Sequence, residues 1–286
     1  MHGRGGELSS PQSRVRETLA AEAGWETAQH LPRGYQRLGS SILLQLPPEL
    51  EPWGKRIGEL YQKELGANLV LARRRIQKGS SREPTVEILA GEREIVRVFD
   101  GEISWEFDPT ALMFSKGNME ERHRVMTLGA PGEVVMDLFA GIGYFSLPIA
   151  KSCHPQTVYA VEQNPVAYSF LVRNVRINHL EEIVHAVLGD NRKARLPPHS
   201  ADRVLLGYLP CALPYLGRAL ELVREEGGWI HLHSVCSRHH YDRLRRGIEE
   251  SVHRAGRQLD HLELRWVKSY GPSRDHLVAD LHLKPV

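Results

Sequence analysis

The stretch Val134-Val-Met-Asp-Leu-Phe-Ala-Gly-Ile-Gly-Tyr-Phe-Ser146 decides the fold. Its apolar opening reads as a buried strand, Gly141 and Gly143 as a turn, and the residues after them as a helix. A strand that runs through a glycine turn into a helix is a unit of an open α/β sheet. Such sheets bind ligands outside the carboxyl ends of their strands. Gly141 and Gly143 allow the backbone to come close to a ligand, and Asp137 at the strand's end is expected to put its charge beside a ligand that carries positive charge. A dinucleotide fingerprint, Gly-x-Gly-x-x-Gly, would require glycine where this chain has Ser146, which weighs against NAD.

Outward from this unit, from about residue 110, strands and helices alternate, and the right-handed crossover rule winds them into a parallel sheet. Short apolar runs predict strands over Val134 to Phe139, Thr157 to Glu162, Ile183 to Gly189, Arg203 to Leu209 and Trp229 to Val235. Asn164 is placed to cap a helix that has Pro165 in its first turn, where a missing N–H costs nothing. The last two runs, Leu262 to Lys268 and Leu277 to Leu283, are joined by a link too short for a crossover helix, so they pair antiparallel. A parallel sheet closed by an antiparallel hairpin is the architecture of class I S-adenosylmethionine-dependent enzymes, a Rossmann-like α/β fold.

Before residue 110 the pattern changes. Five short runs with β character, beginning at Ile42, Asn68, Thr85, Ile95 and Ile103, surround one helix near Lys55 to Leu65 and predict a small α+β domain over 41–109 with antiparallel strands. Asp100-Gly101 suits the positive φ of a tight hairpin. Residues 1–40 carry too few apolar side chains to bury a core of their own, and are expected to form a flexible arm with one short helix from Ser13.

Composition bounds the function. With 41% hydrophobic and 25% charged residues, and no run near the ~18 apolar residues that a spanning helix needs, a membrane role is not expected. Three scattered cysteines and an N-terminus without an apolar core point to a reducing, cytoplasmic protein. A net charge of +2 is too mild to identify a nucleic-acid partner by itself. The cations do gather, in Arg73-Arg74-Arg75-Ile-Gln-Lys78 and again from Arg238 to Arg257, either as solvated faces or as phosphate contacts.

Three further positions suit a nucleoside. Glu162 ends the second strand 19 residues beyond Gly143, where one carboxylate can accept from both ribose hydroxyls. Asp190 and Asn191 end the third strand, and an acid with an amide can read the amino group and ring nitrogen of adenine, although Gly-Asp-Asn is also ordinary turn chemistry. His231 and His233 share one face of the fifth strand. No third ligand stands at a recognisable spacing, so no metal is expected, and the pair reads as a polar wall of a substrate cleft.

Taken together, Phe114-Ser-Lys-Gly-Asn-Met-Glu-Glu-Arg122, the Asp137 to Ser146 turn, Glu162-Gln-Asn-Pro165, Gly189-Asp-Asn191 and Val267-Lys-Ser-Tyr-Gly-Pro272 resemble the tRNA wybutosine-synthesising protein 2 family. The resemblance runs from about Leu43 to the C-terminus. The first motif is equally similar to the sister family of tRNA guanine-N1 methyltransferases, whose fourth strand ends in an asparagine turn that holds the guanine. This chain has Leu205-Leu-Gly-Tyr-Leu-Pro210 there, with no amide, as in the wybutosine family. The resemblance implies transfer of the 3-amino-3-carboxypropyl group of S-adenosylmethionine to a tricyclic guanine derivative (4-demethylwyosine) beside the tRNA anticodon, with methylthioadenosine released. It implies that Ser115 and Arg122 contact the cofactor together with Gly141, Glu162, Asp190 and Asn191, that 110–286 is the catalytic domain, and that 41–109 is a candidate tRNA contact. A tRNA methyltransferase and a non-catalytic RNA-binding relative are the alternatives. No residue stands out as a general base.

Overall fold

A computed structural model of the chain describes residues 10–73, 86–114 and 118–286, which divide into two units, Met1–Phe114 and Ser115–Val286. The first unit opens with helices α1 (Pro11–Ala23) and α2 (Trp25–Ala28). Strands β1 (Gln36–Leu38) and β2 (Ser41–Leu44), helix α3 (Gly54–Leu65), and strands β3 (Leu69–Arg73), β4 (Val86–Gly91), β5 (Val96–Asp100) and β6 (Ile103–Phe107) follow. The sheet order is β1-β2-β3-β4, with β5 and β6 as a separate hairpin that turns at Asp100-Gly101.

Two expectations are corrected here. Strand β2 pairs with β3 in parallel, because α3 is a crossover between them and not an interruption in a meander. The arm is also structured in its described part. Ser10 caps α1 by accepting from the Ser13 amide at 3.1 Å, and Val15 and Leu19, one helical turn apart, are fully buried with Ile57, Leu60 and Tyr61 of α3. Those few apolar residues could not enclose a core alone, but they complete one that α3 and the sheet already begin.

The second unit contains α4 (Met119–Val125), β7 (Val134–Asp137), α5 (Ser146–Cys153), β8 (Thr157–Glu162), α6 (Pro165–Ile177), β9 (Val184–Leu188), β10 (Arg203–Leu206), α7 (Leu216–Leu222), β11 (Trp229–Ser237), α8 (Tyr241–Arg254), β12 (Leu259–Gly271) and β13 (Arg274–Leu283). Seven strands lie in the order β12-β13-β11-β10-β7-β8-β9. Strands β7 to β11 are mutually parallel, while β13 runs antiparallel to both β11 and β12, as the alternation and the short last link predict. The chain steps outward from β7 to β8 and β9, then returns to β10 on the other side of β7. The crevice between β7 and β10 is therefore the switch point at which such sheets hold ligands.

Burial follows the pattern. All four residues of β10 are buried, and Val204, Leu206, Ile230 and Leu232 meet Leu216 and Leu220 of α7 and Ile248 of α8 in one core. Asn164 caps α6 through the Val166 amide at 2.9 Å, with Pro165 following. The final hairpin is longer than its apolar runs suggest, since edge strands continue through backbone pairing where one face of side chains is polar. Among the described residues no helix is long and apolar enough to cross a membrane.

Candidate functional site

Strand β7 ends in a loop stitched to both neighbours. The Leu138 amide donates to Leu205 O at 3.0 Å and the Ala140 amide to Val161 O at 2.9 Å. Asp137 does not face outward as a charge for a ligand. It is fully buried, and its carboxylate accepts from Ser146 Oγ at 2.7 Å and from the Phe139 amide at 3.2 Å, so it ties the two ends of the loop together. Burial pushes its carboxyl up to about 6 against those hydrogen bonds. Gly143 has φ +102, and a Cβ there would stand 2.6 Å from the Leu147 side chain and 3.3 Å from Leu171 of α6. Glycine is needed at this position for close packing of the loop on two helices.

Glu162 meets that loop. One carboxylate oxygen accepts from the Gly141 amide at 2.8 Å and the other from the Asn164 amide at 2.7 Å. The side chain is half-buried, so each oxygen is oriented by a backbone donor while lone pairs remain for hydroxyls beyond them. Burial pushes the nearby Tyr144 phenol well up, with Arg122 drawing it down and Glu162 adding to the rise. Tyr144 therefore lies within electrostatic reach of both.

At the end of β9, Asp190 pairs with Arg192 at 2.6 Å in an open position, and that hydrogen bond pulls its carboxyl down to about 2. Asn191 is 6% exposed. Its amide nitrogen donates to Leu138 O at 3.2 Å, which locks the β9 end to the β7 loop, while its Oδ1 is buried without a partner among the described residues. A buried acceptor without a donor is costly, and an amino group brought by a ligand would satisfy it.

Arg122 lies on α4 and is 1% exposed. Sequence reasoning missed its companion, Lys268 of β12. The Lys268 ammonium donates to Asn118 Oδ1 at 2.6 Å, and Asn118 precedes Arg122 by four residues, one helical turn on the same face. Burial lowers the Lys268 ammonium from its usual range, and the charge of Arg122 lowers it further. Two cations held together in a half-buried place invite an anion such as a carboxylate. The signal in the sequence was the lysine in Val267-Lys-Ser-Tyr-Gly-Pro272, which had no role assigned. Ser115 lies outside the described residues, as does the basic run after Arg73.

Aromatic side chains surround the end of β10. Gly207 lies under the Phe145 ring, which stacks on His233 with centroids 5.1 Å apart. Tyr208 stacks on Phe139 at 5.0 Å, and Tyr215 meets both rings edge-on. One half-buried aromatic cluster thus borders the switch point.

The histidine pair is no cleft wall. His231 and His233 are 2% and 3% exposed; His233 Nδ1 shares a hydrogen bond of 3.0 Å with His276 Nε2, and His231 belongs to a buried chain of charges. Glu133 holds Arg203 through two bonds of 2.9 Å, Arg203 donates to His231 Nε2 at 2.6 Å, and His231 Nδ1 donates to Asp280 at 2.6 Å. Asp280 then accepts from Arg124 at 2.9 Å, and Arg124 grips Glu121, the neighbour of Arg122. With a guanidinium on one nitrogen and a carboxylate on the other, His231 is a neutral ring protonated on Nδ1. Burial lowers its pKa despite Asp280, which keeps it so. The chain anchors α4 to the sheet, and breaking it would leave buried charges unpaired. Among the described residues no cluster of side chains could hold a metal ion.

Comparison with known proteins bears on this geometry. Residues 100–260 match the family model described as the TRM5/TYW2 methyltransferase domain, and residues 15–94 match that of the TYW2 N-terminal domain. A Pyrococcus horikoshii protein described as tRNA(Phe) (4-demethylwyosine(37)-C(7)) aminocarboxypropyltransferase is 34% identical over 276 residues, 94% of this chain and 96% of that protein. The crystal structure of P. horikoshii TYW2 in complex with MeSAdo has a TM-score of 0.85 at 33% identity, covering 96% of this chain and all of the other. A complex of aTrm5 and tRNALeu has a TM-score of 0.78 at 27% identity, covering 99% of this chain and 80% of the other.

Proposed function

This chain belongs to the TRM5/TYW2 family, and on that premise we propose that it transfers the 3-amino-3-carboxypropyl group of S-adenosylmethionine to 4-demethylwyosine in tRNA. S-adenosylmethionine, when bound, supplies a sulfonium whose three attached carbons are all electrophilic. Which carbon reacts is a matter of position, since near-attack distances of ~3–3.5 Å to one of them decide the product. In this transfer the base carbon C7 bonds to the terminal carbon of the aminocarboxypropyl chain, the bond from that carbon to sulfur breaks, and the C7 proton leaves. Methylthioadenosine is the by-product.

The residues present fit that donor. Glu162, oriented by the Gly141 and Asn164 amides, suits the two ribose hydroxyls. The buried, unpartnered Oδ1 of Asn191 and the carboxylate of Asp190, which Arg192 orients, suit the donors of adenine. Arg122, with Lys268 beside it, suits the carboxylate of the amino-acid tail, and Ser115 keeps the cofactor role that the family resemblance implies. No side chain is assigned as the base.

The observation that carries the choice of acceptor is the bare turn at Gly207. Without an amide there, a guanine edge finds no side-chain donor or acceptor, and a tricyclic base finds the half-buried aromatic cluster of Phe139, Tyr208 and Tyr215. Stacking on such rings is worth ~1–3 kcal/mol per base. The acceptor is tRNA, and free cysteines suit action in the cytoplasm. Mass spectrometry of the small-molecule product after incubation with S-adenosylmethionine and acceptor tRNA tests the reading. Methylthioadenosine is expected, and S-adenosylhomocysteine would make the protein a methyltransferase instead.

A further inference from the structure

Between the end of β11 and the first turns of α8 lies a cavity of about 580 Å³ that no step of the reaction above uses. It is lined by Cys211, Cys236, His240, Arg243, Arg246 and Glu250, among others. Its wall continues toward the acceptor turn, since Cys211 lines it four residues after Gly207. The Ala212 amide donates to His233 O at 3.0 Å and the Val235 amide to Pro210 O at 2.6 Å, so the segment after Gly207 is sewn to β11.

The arginines around this cavity differ from others in the same run. Arg238 is engaged by Asp275, and Arg257 donates to the Arg224 carbonyl at 3.0 Å. Arg243 and Arg246 are exposed, and among the described residues neither guanidinium has a hydrogen-bond or ion-pair partner. At a spacing of three they project from one face of α8, which also carries Gly247 and Glu250. Arg254 is likewise exposed and without a side-chain partner among the described residues, but it lines a different cavity, so of the uncommitted guanidiniums in this run Arg243 and Arg246 are the ones that face this cavity, at the same sheet edge as Glu162, Asp190 and Gly207.

We propose that this cavity receives a backbone phosphate of the tRNA close to the modified nucleotide, held between Arg243 and Arg246. The inference rests on the proposed transfer to tRNA and adds where the acceptor strand is gripped. Phosphate contacts fix register without reading sequence, which is what a site that must present one base to the donor requires. Guanidinium groups suit the task, since their planar forks match phosphate geometry. Glu250 at the far end limits the basic face to one side.

The test measures tRNA binding against salt for the wild type, for Arg243→Ala/Arg246→Ala, and for Arg254→Ala at the other end of α8. The slope of log affinity against log salt should fall by about 1 in the double variant, as expected for one lost phosphate contact, with S-adenosylmethionine affinity unchanged. The slope for Arg254→Ala should match the wild type. As a readout that needs no variant, tRNA should protect Cys236 of the wild type from iodoacetamide, whereas S-adenosylmethionine alone should not. Equal slopes for the double variant and the wild type, a comparable fall for Arg254→Ala, or no protection of Cys236 would overturn the proposal. A wild-type protein that shows the expected slopes but releases no methylthioadenosine would support the phosphate site and remove the reaction. One that transfers normally while the slopes coincide would remove the phosphate site alone.

Discussion

The ring of Phe145 closes the space over Gly207: a Cβ built on Gly207 would stand 2.9 Å from Phe145 Cε2 and 3.2 Å from Cδ2. The ring cannot swing away freely, because His233 stacks on it and Phe145 is itself 6% exposed. The absence of an amide at the end of β10 is therefore built into the packing of the β7 loop on this turn.

Replacing Gly207 with Asn must displace that ring and narrow the acceptor side. We expect Gly207→Asn to lower transfer to the tricyclic base by at least about tenfold, which is 1.4 kcal/mol of barrier, while S-adenosylmethionine affinity stays within a few fold. Overpacking should also reduce stability by roughly 1–3 kcal/mol. Single-turnover rates and cofactor titrations on the same preparation check both, and transfer at the parent rate would show that the turn does not select the acceptor.

Glu162 joins two backbone amides, and in the proposed site it holds the ribose of the cofactor. Glu162→Ala should weaken S-adenosylmethionine binding by roughly 1.5–3 kcal/mol, the range for a hydrogen bond to a charged group, and leave the chain folded. Calorimetry with circular dichroism as the folding control measures this. Undiminished affinity would reduce Glu162 to a loop brace.

If Lys268 and Arg122 hold the amino-acid tail, their effect should depend on the ligand's carboxylate. Lys268→Met is expected to weaken S-adenosylmethionine by about tenfold or more, in line with ~1.5–3 kcal/mol for a charged hydrogen bond, while methylthioadenosine, which lacks the tail, binds as before. Equal losses for the two ligands would point to general damage at Asn118 and α4.

Asp137 gives a pH signature. Its carboxyl is pushed from the usual 3.8 up to about 6 by burial, so between those values the folded protein holds a proton that the unfolded chain has released. Its contribution is fully present below about pH 4 and is lost as pH rises through about 6. An asparagine does not titrate, so urea unfolding at several pH values should show the wild type losing on the order of 2–3 kcal/mol relative to Asp137→Asn between pH 4 and pH 7. A difference that stays constant over that range would contradict the burial of this carboxyl.

The parallel half of the fold was readable because each buried strand is a short apolar run whose end is marked by glycine or by a charge. Once the order of runs sets the topology, Glu162, Asp190, Asn191 and Gly207 must lie along one sheet edge. Pairing direction in the first unit was less legible, since α3 could be a crossover or an interruption, and only the partner of β2 decides. The docking of Val15 and Leu19 depended on an apolar face supplied by α3. Local pattern could not show which way Asp137 turns, although Ser146 at the start of α5 is a partner it could have suggested. Nor could it show that Lys268 approaches Arg122, because Asn118, which holds Lys268 one turn before Arg122, lies 150 residues away in sequence. For His231 and His233, alternation established a shared face, but only the burial of Arg203 and Asp280 shows that the face points inward.

The central claim is that the amino-acid tail, and not the methyl group, leaves sulfur for the tRNA. It is tested most directly with S-adenosylmethionine labelled with ¹⁴C in the carboxyl carbon and ³H in the methyl group, incubated with protein and tRNA that carries 4-demethylwyosine. The account predicts that ¹⁴C enters the acid-precipitable tRNA while ³H stays in the soluble fraction as methylthioadenosine. Entry of ³H into the tRNA with ¹⁴C left in solution would contradict it.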